Sequence, residues 1–199
     1  MPVPHFTKLQ STNPAFEPVY PSLFEITFIL PQTLQAQGRD PLMMLENALN
    51  IDFPLTPDIT AVNQKFKFSS RVYLTLPEKT DTEFGIKFNL NVNDSGSIFV
   101  WNTLKAWYDL VWNSQTGAVS YKQDIIGTII ANQHDKKGFV IRRVTYQNVQ
   151  INKLAQFSLD WSKNADIHEP IDAGFVSDYF IDEYIDNNYT ILPANVYGI

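Results

Sequence analysis

Two runs between Phe139 and Asp182 have little choice but to be extended. Phe139–Ile151 (FVIRRVTYQNVQI) and Ala173–Asp182 (AGFVSDYFID) are dense in β-branched and aromatic residues. Such side chains lose χ1 freedom in a helix and pack well on a pleated, half-buried surface. Leu154–Trp161 continues the extended character, and Ser162–Pro170 is a polar loop leading to a strand over about 172–182. A sheet built on these runs is what the rest of the chain must be arranged around.

The other segments supply partners for that sheet. In residues 22–30 Phe24, Ile26 and Phe28 alternate with Glu25 and Thr27, a strand with one buried face that Pro31 ends. Short strands are expected around 59–68 and 70–76, and 84–93 alternates cleanly. Residues 120–133 read as a further strand, turned by the polar tip His134–Gly138 into an antiparallel return along 139–151. Ile98–Asn113 is the strongest helix, opened by the turn Asp94-Ser95-Gly96-Ser97 and stopped by Gly117. Val100, Leu104, Trp107 and Val111 fall on one face at i, i+4, i+7 and i+11, widened by Trp101, Tyr108 and Trp112. Burying such side chains stabilises by roughly 1.5–3 kcal/mol each, so this helix lies on the sheet as core, not as an aromatic cofactor box.

Residues 31–57 read as an irregular insertion into a domain spanning 22–182. Asp40-Pro41 is an N-cap followed by an N1 proline, and Leu42, Leu45 and Leu49, with Met43, Met44 and Ala48, make a short amphipathic helix ending before Ile51; Phe53 leads out. This apolar load has two readings: a cap on the domain's own core, or a partner-binding element. Leu42, Met43, Met44, Leu45, Leu49 and Phe53 are therefore the candidate inter-subunit contacts. Residues 1–21 hold five prolines (Pro2, Pro4, Pro14, Pro18, Pro21) and read as an extended arm, and 183–199 form an acidic, tyrosine-bearing tail. The fold class is α+β, a mostly antiparallel β-sandwich or barrel with one major packed helix.

Several chemistries are excluded. The chain has no cysteine, hence no disulfide, thiolate nucleophile or cysteine-held metal. Its formal charge is −6 and its only paired cations are Lys136-Lys137 and Arg142-Arg143, unlike a protein that reads nucleic acid from a basic face. No apolar stretch approaches the roughly 18 residues that span a bilayer, and Met1-Pro2-Val3-Pro4-His5-Phe6 lacks a signal-peptide pattern, so the protein is expected to stay where it is made. His5, His134 and His168 sit in the arm, the hairpin tip and a loop, and there is no HExxH, GxSxG, GxGxxG or P-loop. Asp166, His168 and Glu169 form a compact polar cluster that reads as a solvated loop before it reads as a weak cation site. Asp178, Asp182, Glu183 and Asp186 include spacings compatible with paired glycosidase acids, but also fit a solvated strand. No catalytic residue, cofactor or metal is expected.

The order of elements resembles the tail tube protein of contractile-tailed bacteriophages, the family shared with the inner tubes of other contractile injection machines. The resemblance covers roughly 20–182: the arm leading into Ser22-Leu23-Phe24-Glu25-Ile26, the alternating strand before the helix Trp101–Trp112, the long hairpin, Val144–Ile151 with Leu159-Asp160-Trp161, and the closing strand Phe175–Phe180. Its most specific part is the sequence of strand, Asn148-Val149, short gap, Leu159-Asp160, loop and closing aromatic strand. The insertion 31–57 and the tail 183–199 depart from the shorter members. The resemblance implies a virion protein assembled in the host cytoplasm into stacked homohexameric rings, whose strands join as one β-barrel around a lumen. Sheath, baseplate and tail terminator proteins are the implied partners, and genomic DNA passes without specific binding. An acidic lumen would repel phosphate and let the duplex slide. A baseplate tube-initiator or tube-completion protein of the same fold is the near alternative. A β-sandwich carbohydrate-binding module, with its Trp and Tyr exposed on one face, is the alternative from another class.

Overall fold

The computed structural model describes residues 21–53, 61–66, 69–74, 82–92, 98–155, 170–185 and 195–197. In chain order, β1 (Phe24–Ile29) is followed by two short helices, α1 (Gln32–Ala36) and α2 (Pro41–Asn47), and by β2 (Ala48–Ile51). Then come β3 (Ala61–Phe66), β4 (Ser69–Leu74), β5 (Glu83–Phe88), the long helix α3 (Phe99–Val111) and the single turn α4 (Lys122–Ile125). β6 (Gly127–His134), β7 (Val140–Leu154), β8 (Ile171–Val176), β9 (Tyr179–Tyr184) and β10 (Asn195–Tyr197) complete the order. Every named strand pairing is antiparallel.

β7 is fifteen residues long and belongs to two sheets. Its first part, Arg142–Gln147, lies between β6 and β9, and its last part, Gln150–Leu154, pairs with β8. One sheet therefore runs β1-β6-β7-β9-β10, the other β7-β8-β5-β2. Among the described residues β1, β2 and β10 each pair on one side only, so the sheet is not closed and the barrel reading gives way to a sandwich with an open side. β3 and β4 form a separate two-stranded sheet.

The core fills the space between the sheets. Phe84 stacks on Tyr146 with centroids 3.9 Å apart, Phe175 lies 5.7 Å from Phe84, and Phe180 lies 6.1 Å from Tyr146. α3 closes one side, with Val100, Leu104 and Trp107 buried and Val111 half-buried against the core. Trp107 is fully enclosed, its ring 5.6 Å from Phe175, and its indole N–H donates to the Ile125 carbonyl at 2.8 Å. Gly127 makes that seat: a Cβ there would stand 2.7 Å from the Ile29 carbonyl oxygen and 3.0 Å from the indole ring.

Several boundaries differ from the sequence expectation. The strand expected over 120–133 begins as a helical turn, because Ile125 must present its carbonyl to Trp107 and Thr33 donates to the Asp124 carbonyl at 2.9 Å. The closing strand is two strands, broken at Ser177-Asp178 where its pairing passes from one part of β7 to the other. There Asn148 adopts a left-handed conformation (φ 55°) beside a register shift, and its amide donates to Asp178 at 2.9 Å. The insertion is more ordered than expected. Its helix ends at Asn47, because Ala48–Ile51 finds ladder partners on β5, so Leu49 is a strand residue. α3 has no side-chain cap at its N-cap residue, Ile98, and it ends at Val111, with Gly117 (φ 68°) serving a later turn. Residues 94–97 and 156–169 lie outside the described residues. Past the expected end at 182, β9 continues to Tyr184 and β10 pairs back onto it.

Trp107→Ala is expected to lower unfolding stability by about 3–5 kcal/mol, read in urea denaturation. Gly127→Ala, which forces a methyl into a filled seat, is expected to cost about 1–3 kcal/mol.

Candidate assembly surface

Side chains on a strand alternate between faces, and directly paired residues share a face. The β1-β6-β7-β9 register therefore sorts the sheet into two sets of rows. Phe28–Ile129–Tyr146–Phe180 and Ile26–Ala131–Val144–Asp182 face the core. The opposite rows are Thr27–Ile130–Thr145–Ile181 and Glu25–Asn132–Arg143–Glu183. A third, Ile29–Thr128, extends across the bulge through the Thr128 hydroxyl, 3.4 Å from the Gln147 side-chain oxygen, to Tyr179. These outward side chains are half-buried or exposed. The face is dominated by hydroxyl, amide and aliphatic groups. Its charged members in those rows are Glu25, Glu183 and Arg143, and the Arg143 guanidinium donates to Asn132 at 3.0 Å. Two acids against one base leave this face one negative charge per copy.

The edges of the sheet are its second feature. Among the described residues β1 bonds only β6, β2 only β5 and β10 only β9. Unpaired backbone at a strand edge is a template for another strand. Ile29, 47% exposed on β1, and Leu49, 44% exposed on β2, place apolar side chains at these edges.

The six contact candidates from the insertion divide by environment. Met44 is fully buried against the core, and Leu45 and Phe53 are half-buried against it. Leu42 (63%), Met43 (38%) and Leu49 stand exposed. Asp40 caps α2 as the sequence indicates, accepting from the Leu42 N–H at 2.9 Å. Met43 borders an open cleft of about 320 Å³ with Glu46, Asn47, Asn91, Val92, Phe99 and Val100.

Two of the candidate paired acids, Asp182 and Asp178, are bound by separate cations. Asp182 is 3% exposed and takes a fork from Arg142 at 2.9 and 2.8 Å. Arg142 in turn lies 4.8 Å from the Phe53 ring centroid and 5.2 Å from that of Tyr184. The bond to Asp182 outweighs burial and raises the Arg142 pKa above its ordinary value. Burial pushes the Tyr146 hydroxyl far above the usual phenol range, and this hydroxyl donates to the Asp52 carbonyl at 3.0 Å. One cluster thus ties β7, β9 and the exit of β2 together. Asp178 is bound by Lys122 at 2.6 and 2.7 Å and by Asn148. Burial opposes its ionisation, but those donors outweigh it and hold the carboxyl below its ordinary pKa. His134 lies 3.5 Å from Glu25, and its Nδ1 is 3.1 Å from the Gly138 carbonyl. Among the described residues no group of three or more His, Cys, Asp or Glu is placed to hold a metal. His5, Asp166, His168, Glu169 and Asp186 lie outside the described residues. The sequence reading missed Arg142 as a structural cation; its position between Ile141 and Val144 on a strand facing Asp182 was the available signal.

No protein-family model matches the chain, and no curated protein matches it in sequence. The fold does have known counterparts. A chain of the anti-feeding prophage cap, its tube-terminating cap, aligns with TM-score 0.54 at 10% identity, over 85% of this chain and 93% of that one. A chain of the sheath–tube complex of the extracellular contractile injection system PVC, in its extended state, aligns with TM-score 0.52 at 11% identity, over 91% and 99%. A chain of the sheath/tube terminator of that system aligns with TM-score 0.53 at 10% identity, over 84% and 98%. The fold is thus that of tube and terminator components of contractile injection systems.

Removing one member of the Arg142–Asp182 pair strands a buried charge. Arg142→Ala or Asp182→Asn is expected to destabilise by about 3–5 kcal/mol, with Arg142→Met and Asp182→Leu combined costing much less. Because the Asp178 pKa is depressed on folding, its stabilisation is present above the ordinary carboxylate value of about 4 and is lost as pH falls through the folded value. Asp178→Asn is therefore expected to flatten the acid limb of a stability–pH curve.

Proposed function

We propose that this chain is a non-enzymatic structural component of a contractile tail, a tube subunit that assembles through copies of itself. The observation that supports the reading is an open, mostly antiparallel sandwich whose edge strands β1, β2 and β10 each pair on one side only among the described residues, in a fold matched over 99% of a chain from a sheath–tube complex. In the proposed assembly six copies close a ring, neighbouring strand edges complete one another, and rings stack into a hollow cylinder. A ring of heterologous contacts leaves no edge free, which is how an exposed ladder escapes aggregation.

The uncovered face of β1, β6, β7 and β9 is the proposed bore. Its Thr, Asn, Gln and Ile side chains offer a passing duplex no cationic row. The single Arg143 is flanked in register by Asn132 and Glu183, with Glu25 further along the same row. One excess acid per copy in those rows gives a weakly repellent wall, suited to moving DNA without holding it by counterion release. Sheath, baseplate and terminator proteins are the proposed partners outside the bore.

A second reading, a ring that caps or initiates the tube, draws on the terminating cap and terminator among the fold counterparts. A carbohydrate-binding module is disfavoured because Trp107 is enclosed and Trp101 is half-buried against the core.

Electron microscopy of the purified protein separates these readings: cylinders are expected, single rings indicate a cap or initiator, and a lone monomer at high concentration overturns both. Deleting residues 42–50 would remove buried Met44 and strand β2, so polar replacement is the cleaner probe of the insertion. Leu42→Ser, Met43→Ser and Leu49→Ser combined are expected to leave the monomer folded and to block assembly. Normal cylinders from that variant would make the segment only a cap on its own core.

A further inference from the structure

His134 ends β6 at the root of the β6–β7 hairpin, and the backbone fixes its place. Its N–H donates to the Leu23 carbonyl at 2.8 Å. The tip beyond it is built on Asp135, whose carboxylate accepts from the Lys137 and Phe139 N–H groups at 2.8 Å each. Gly138 takes φ 85° in that tip, and its carbonyl lies 3.1 Å from the His134 Nδ1. A carbonyl can only accept, so in the neutral ring Nδ1 carries the proton and Nε2 is a bare lone pair. That lone pair faces the Glu25 carboxylate, 3.5 Å away. Two acceptors stand opposite each other. Both contacts of the ring are satisfied only in the imidazolium, whose Nε2–H donates to a charged oxygen.

The pair lies where a change of charge has consequences. Glu25 belongs to edge strand β1 and to the outward row Glu25–Asn132–Arg143–Glu183. His134, two residues beyond Asn132 along β6, emerges on that same face. The other charged groups around the ring come from the tip and from β7. Asp135 is engaged with the tip backbone, and Lys136 and Lys137 are exposed on the tip. Arg143 donates to Asn132, and Arg142 is turned toward Asp182 on the core side. With a neutral imidazole, Glu25 and Glu183 outnumber Arg143 by one in the outward rows; with an imidazolium the two signs balance. Histidine is the side chain whose charge changes between about pH 5 and 8.

We infer that His134 and Glu25 form a proton-operated clasp, open at neutral pH and closed in mild acid, that sets the charge of the outward face and thereby how readily copies join. Its effect on assembly rests on the self-assembly reading, whereas the clasp itself belongs to the single chain. Closed, it ties edge strand β1 to the hairpin tip through one ring and cancels the excess negative charge that each copy brings to that face. Repulsion between copies then falls, most at low salt.

Two measurements test the clasp. Nitrogen-resolved NMR of the imidazole, on protein below its assembly concentration, is expected to show the Nδ1–H form at about pH 8. At about pH 5.5 it is expected to show a slowly exchanging Nε2–H that Glu25→Gln abolishes. A neutral ring with its proton on Nε2, or an Nε2–H indifferent to Glu25→Gln, overturns the inference. Sedimentation then follows assembly at ~0.05 M salt. The critical concentration of wild type is expected to fall at least ~threefold from about pH 7.5 to about pH 5.5. His134→Gln is expected to keep the neutral-pH value throughout, and His134→Lys, a fixed cation, the acid value throughout. If wild type assembles alike at both pH values, or His134→Gln retains the wild-type pH dependence, the inference is overturned and the tube reading stands. If wild type self-associates at neither pH, the tube reading falls and takes the inference with it.

Discussion

The hydrogen-bonded ladder along β7 is what everything else depends on. Fifteen residues in one strand serve two sheets, with β6 along one edge and β9 then β8 along the other. Sharing a strand brings the two sheets together at a line and opens a wedge between them. Tyr146 sits in that wedge, stacked on Phe84 from one sheet and close to Phe180 from the other. Trp107 closes the open side from α3. Because aromatic side chains bury the largest areas, this small group supplies much of the core's apolar contact.

The transfer along β7 has a local cost and a local remedy. Asn148 takes a left-handed backbone, which asparagine tolerates better than most residues. Its side chain then helps Lys122 secure Asp178 at the break between β8 and β9. One step of the strand away from each other, Arg142 and Arg143 take opposite parts. Period-2 alternation turns Arg142 toward Asp182, Phe53 and Tyr184 and turns Arg143 outward beside Asn132. Inside, the guanidinium neutralises an enclosed carboxylate; outside, it moderates a face that would otherwise be more acidic.

The same geometry explains why the chain looks unfinished alone. Antiparallel sheets tolerate one solvated face, and here that face mixes hydroxyl, amide and aliphatic side chains. Among the described residues the edge strands β1 and β2 pair on one side only, with exposed Ile29 and Leu49 beside the free edges. The proposed ring accounts for both features at once, because closure uses the edges and encloses the face.

The alternating runs 22–30 and 139–151, the first part of 84–93, where the strand stops at Phe88, and the apolar stripe of Ile98–Asn113 were legible in the sequence because their periodicity is local and reflects burial on one face. So were the Asp40 cap and the 134–138 hairpin tip, where a few adjacent residues define the turn. What the sequence left open depends on partners distant along the chain. The turn at 122–125 exists because Trp107 needs a carbonyl, and the break at 177–178 exists because β7 bends. Leu49 became a strand residue because β5 was available to pair with Ala48–Ile51. The division of the insertion into buried Met44 and exposed Leu42 and Met43, and the pairing of Arg142 with Asp182 across forty positions, likewise came only from tertiary packing. Residue types and their spacing decided which segments would be strand or helix; which edges stayed open and which face stayed bare was decided by how those segments met.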